Sequence, residues 1–182
     1  MRGALLFAVA GALVGAVVVG SPSQAPSISV VGGDDRDRAA LDAALALFES
    51  NGLVLPDLEI RFSDDTEDCA GHFGLFEKRP TPWRISICSP ASFVLPHELA
   101  HAWEAAHLDD ELRAAYLRER RLMSWDGPEL EWRERGEEDA AFVIQQNLTT
   151  RHAPTNSTTW RERIAAYEML TGRASPLRSD NA

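Results

Sequence analysis

The chain has 182 residues, 45% of them hydrophobic and 25% charged, which suits a single domain with a modest core. A formal net charge of −10 speaks against nucleic acid as a partner and against an anionic membrane surface, because the attraction to phosphate that drives such binding is missing. Most of the charge falls on expected helices, where a solvated face is its ordinary role.

Met1-Arg2-Gly3 precedes an unbroken apolar run from Ala4 to Gly20, the layout of an export signal. The run is long for a signal core and short for a spanning helix, and it lacks an A-x-A cleavage site. Two readings therefore stand for 1–20, a cleaved signal peptide or an uncleaved N-terminal membrane anchor. Either places the folded part outside the cytoplasm, secreted or held on the outer face of the cytoplasmic membrane. Residues 21–33, rich in Ser, Pro and Gly, read as a linker.

The domain is expected over 34–172. Asp34 to Ser50 carries acids at its start and apolar residues at helical spacing, and stops at Asn51-Gly52. Short extended pieces follow at Leu58 to Phe62, His72 to Glu77 and Trp83 to Cys88, with Arg79-Pro80-Thr81-Pro82 as a turn, which suggests a small antiparallel sheet. Cys69 and Cys88 are the only cysteines; flanking a hairpin in an oxidising compartment, they are expected to form a disulfide. Further helices are expected at Ala91 to His107, at Glu111 to about Met123, and over a segment with Trp132 near its start and Ala140, Ala141, Ile144 and Leu148 on its apolar side. A last helix runs from Trp160 to Thr171 and is closed by Gly172; 173–182 reads as a flexible tail. The fold class is α+β, mainly helical with a small sheet.

The chemistry is concentrated in Leu95-Pro96-His97-Glu98-Leu99-Ala100-His101, an H-E-x-x-H pattern. Imidazoles four residues apart lie on one helix face and can reach a single Zn²⁺, while Leu95, Leu99 and Ala102 supply a core face behind them. Glu98 points to the side and can take a proton from water at the metal without using a coordination position. The bland alternative is an amphipathic helix whose polar face carries two histidines. A catalytic zinc usually takes three protein ligands, so an acid on a later helix is required, and Gly136-Glu137-Glu138-Asp139-Ala140-Ala141 is the place to find it. Helical geometry slightly favours Glu137, which falls in the middle of the Ala141/Ile144/Leu148 stripe, over Glu138 at its edge. His72 reads as a surface or loop residue, and His107 lies off the His97/His101 face.

His97-Glu98-Leu99-Ala100-His101 with a glutamate on a following helix resembles the zincin metallopeptidases of the gluzincin type. More narrowly, Leu95 to Trp103, Trp125, the Arg135 to Ala141 run and Tyr167-Glu168-Met169-Leu170-Thr171-Gly172 resemble small exported proteins of high-GC bacteria. In that pattern a glutamate stands two places after the glycine, with an apolar residue between them, and this implies Glu138 as third ligand; here Glu137 occupies the apolar place. The resemblance implies a zinc-dependent peptidase with His97, His101 and Glu138 as ligands, Glu98 as general base, and a peptide or protein as substrate of a monomeric enzyme. An oxyanion stabiliser is expected outside the motif, with Tyr116, His152 and Tyr167 as candidates. The alternative is an exported zinc-binding module of the same fold that acts through binding, without turnover.

Overall fold

Three acids at a helix start explain how the domain begins. In a computed structural model, which describes residues 26–89, 91–127, 129–149 and 159–181, strand β1 (Ile28–Val31) leads into helix α1 (Asp35–Ser50). The Asp34 side chain accepts from the backbone N–H of Arg36 and Asp37, and Asp37 accepts from that of Asp34, a reciprocal cap that satisfies orphan donors of the first turn. The helix ends at Asn51, as its sequence requires, and the chain returns through β2 (Leu58–Phe62). The signal or anchor segment, residues 21–25 of the linker, His152 and the Thr/Asn/Ser loop before Trp160 lie outside the described residues.

β1 pairs with β2 in parallel, Ile28 opposite Leu58, so β1-α1-β2 is a crossover unit. The sheet continues through β4 (Trp83–Ile87), also parallel to β2, and ends with β3 (Gly74–Glu77), which pairs antiparallel with β4; the strand order is β1-β2-β4-β3. The fold is thus α+β as expected, but the sheet is mixed and not antiparallel. Two parallel pairs make it so: β1, in a stretch that composition marks as linker, joins β2 through α1, and β2 lies beside β4, leaving its chain neighbour β3 at the edge. Leu58, Ile60, Ile85 and Ile87 on one sheet face are buried in the core, whereas Glu59, bonded to Arg84 at 2.8 Å, belongs to the other.

Helix α2 (Ala91–His107) packs against α1, β3, β4 and α4, which makes it the centre of the molecule. Leu95, Leu99, Ala100 and Ala102 have no exposed surface. Pro96 lies inside the helix, beyond its first turn, where it removes one backbone donor immediately before His97. Helix α3 (Asp110–Arg120) is capped by Asp109, whose carboxylate accepts from the N–H of Leu112. Helices α4 (Gly136–Thr149) and α5 (Trp160–Thr171) follow, the latter capped by Thr159 and Glu162 and ended by Gly172 in a left-handed conformation. Trp132 lies in a short 3-10 turn, Trp132–Glu134, ahead of α4 and not in it.

The segment after Gly172 is not a free tail. Ser175 is buried, donates from its hydroxyl to Asn147 at 2.6 Å and from its N–H to Glu168, and is followed by a 3-10 turn at Pro176–Asn181. No helix among the described residues is long and apolar enough to cross a membrane.

Cys69 and Cys88 form the expected disulfide, joining a 3-10 turn at Thr66–Cys69 to the residue that follows β4, three positions before α2 begins. Its 19-residue separation corresponds, in the chain-entropy account, to about 3 kcal/mol of stabilisation. Replacing both cysteines by serine should lower the unfolding free energy by that amount in urea titrations, and dithiothreitol should destabilise the native protein while leaving the double variant unmoved.

Candidate metal centre

The first turn of α4 is seated on the loop that follows α3. Gly136 N–H donates to Ser124 O and Glu137 N–H to Trp125 O, both at 2.9 Å, so two donors that a helix start leaves unpaired are taken up by that loop. Gly136 permits the approach: a Cβ there would stand 2.6 Å from Leu117 Cδ2. Asp139, also buried, accepts from Tyr116 Oη at 2.7 Å and from the Arg120 guanidinium at 2.7 and 2.9 Å, a two-pronged ion pair between α4 and α3.

With its neighbours so held, Glu138 turns toward α2. Its Oε2 stands 3.1 Å from His97 Nε2 and 3.4 Å from His101 Nε2, and the two Nε2 atoms are 3.2 Å apart. This buried group can hold a metal ion. Glu137 is not part of it, so the geometric preference for Glu137 is corrected. α4 is buried nearly all round from Glu138 to Leu148, and an apolar stripe therefore does not mark the side that meets α2. That side carries Glu138, Phe142 and Gln145, at positions i, i+4 and i+7: Phe142 lies 4.6 Å from the His97 ring, and Gln145 Nε2 donates to Phe93 O on α2 at 2.8 Å.

The charges respond to burial and to one another. Burial opposes ionisation of Glu138, but the two imidazoles outweigh it and hold the carboxyl well below its ordinary range. Burial likewise opposes charge on His101; the Glu104 and Glu138 carboxylates overcome it and raise the imidazole well above its usual value, while burial lowers that of His97. Glu104, 2% exposed, stands 3.8 Å from His101 Nδ1 and is pushed by burial to about 7. It shares the helix face of His97 and His101, being three residues beyond the latter, a spacing that the sequence displays and that reading for metal ligands alone passes over. Its place beside the ring nitrogen that faces away from the donor group suits a residue that orients the ligand.

Glu98 is buried beside the group and outside it, with its carboxyl pushed by burial to about 7. β3 comes directly against it: the Phe76 backbone slightly offsets the effect of burial on the Glu98 carboxyl, and a Cβ on Gly74 would stand 2.5 Å from Glu98 Oε1. Gly74 is thus a second residue whose importance depends on a contact that the sequence does not display. His72 is exposed; His107 bonds Val54 O and stacks on Trp103, away from the donor group. Tyr116 has its hydroxyl committed to Asp139, and Tyr167 is fully buried on α5. Comparisons with protein-family models, with curated proteins and with solved structures find no match to this chain.

Glu138→Ala should abolish retention of a divalent metal through dialysis, whereas Glu137→Ala should keep it, read by elemental analysis and by the metal-dependent rise in melting temperature. Asp139→Ala leaves the nearly buried Arg120 charge without its partner and should cost about 3–5 kcal/mol of stability in denaturant titrations.

Proposed function

We propose that the chain is a zinc-dependent peptidase of the gluzincin type, acting outside the cytoplasm on peptide or protein substrates. The observation that carries this reading is a His-His-Glu donor group with a separate buried carboxylate, Glu98, beside it. Zinc is favoured by the donor set and its dimensions. Ligand atoms about 2.0–2.1 Å from a tetrahedral ion lie about 3.3 Å from one another, and the three separations here are 3.1, 3.2 and 3.4 Å. Two imidazole nitrogens and one carboxylate oxygen leave a fourth position for water.

When bound, zinc supplies Lewis acidity, lowering the pKa of water at that position and polarising the scissile carbonyl. Glu98 removes the proton from the attacking water and delivers it to the departing amine nitrogen. A carboxyl raised toward neutrality by burial suits both transfers, since it accepts and releases a proton with little cost at physiological pH. Gly74 leaves room for the carboxylate against β3. β3 is an edge strand, and an extended peptide added alongside it would pass the metal centre. The Cys69–Cys88 cross-link supports an oxidising compartment, in keeping with the apolar N-terminal run as signal or tether.

Zinc-loaded protein should cleave members of a mixed peptide library, and Glu98→Gln should retain zinc while losing at least about 10²-fold in kcat. A zinc-loaded wild type without activity on such a library would leave the binding-module reading in its place.

A further inference from the structure

Seven large hydrophobic residues among those described are exposed, and two of them, Trp132 and Phe93, are tied to the metal centre. The Trp132 ring lies 6.0 Å from that of His97 and meets Phe142 edge to face at 5.0 Å, while Phe142 itself lies 4.6 Å from His97. Phe93 is one helical turn before His97, on the same face of α2, and its carbonyl is fastened to α4 by Gln145. Trp132 is 46% exposed and Phe93 50%. An indole held edge to face against another ring, beside the donor group, with nearly half its surface in water, is an apolar wall that no group among the described residues covers.

We infer that Trp132 and Phe142, with Phe93 beyond them, form the subsite for a large apolar or aromatic side chain of the substrate, on the His97 side of the metal. The inference rests on the peptidase reading above and names what that peptidase prefers next to the scissile bond. A phenyl-sized side chain entering here covers the exposed face of Trp132, with the edge-to-face geometry that aromatic pairs favour, whereas a small or charged side chain leaves that face wet. The 3-10 turn that carries Trp132 is closed by a reciprocal pairing of Glu131 and Glu134, so the wall is in place before substrate arrives.

Hydroxamates bind zinc whether or not the protein turns over, so they test the subsite apart from catalysis. Calorimetry on the zinc-loaded full-length protein should show 3-phenylpropionohydroxamate binding about tenfold more tightly than acetohydroxamate. That ratio should fall to about twofold in Trp132→Ala, fall in Phe93→Ala, and persist in Trp132→Phe. A ratio near one in the wild type, or an unaltered ratio in both alanine variants, overturns the subsite. If acetohydroxamate itself fails to bind, the zinc reading fails and the subsite falls with it, an outcome distinct from a bound acetohydroxamate with no gain from the phenyl group.

Discussion

Glu138 and Asp139 are consecutive buried carboxylates committed to different partners, and the geometry of the centre depends on that division. One turn of helix cannot present two adjacent side chains to the same neighbour. Asp139 takes Tyr116 and Arg120 from α3, and Glu138 is thereby left to face His97 and His101 on α2. A buried carboxylate without such partners would cost several kcal/mol, so that cost opposes any rotation of α4 that takes Asp139 away from Tyr116 and Arg120. The backbone bonds from Gly136 and Glu137 to the preceding loop fix its height.

The second constraint is the approach of β3. As the edge strand, paired antiparallel with β4 alone, it has no further strand on its outer side, and it packs against α2. Glu98 lies against the β3 backbone and has room there because residue 74 has no side chain. A residue in the middle of a helix is thus positioned by a strand whose place derives from the disulfide-closed loop and the pairing with β4. Glu98 and the donor group are held by different elements, β3 for one and α4 for the other.

Much of this was legible from local rules. Helix α1 shows its acidic cap and its Asn-Gly stop, α5 its Thr cap and closing glycine, and α2 its boundaries and its histidine face, because each depends on interactions within a few residues. What escaped depends on partners far along the chain. Ile28–Val31 is a strand because β2 lies beside it, in a stretch whose composition signals a linker. Ser175 is buried because Asn147 and Glu168 accept its donors, 28 and 7 residues away. The choice between Glu137 and Glu138 was invisible to periodicity in a helix covered on nearly every side, although the Glu138/Phe142/Gln145 spacing and the His97/His101/Glu104 spacing mark the two facing surfaces. The His-His-Glu group itself was expected; Glu104, Gly74 and Trp132 were not.

The electrostatics of the centre call for a cation. Glu98, Glu104 and Glu138 are all buried around two imidazoles, and burial disfavours every ionised carboxylate among them. Glu138 stays charged only because positive character is drawn onto the imidazoles, above all His101, whose affinity for a proton rises between Glu104 and Glu138. A proton on His101 is a poor solution, since it places N–H groups of neighbouring rings against each other at 3.2 Å when His97 also donates. A divalent ion between the three donors would supply the positive charge that the carboxylates require and would let both Nε2 atoms act as acceptors, with Nδ1 of His101 left to donate toward Glu104. The same carboxylates that would be a liability in an empty core would thereby become the source of an ion's affinity.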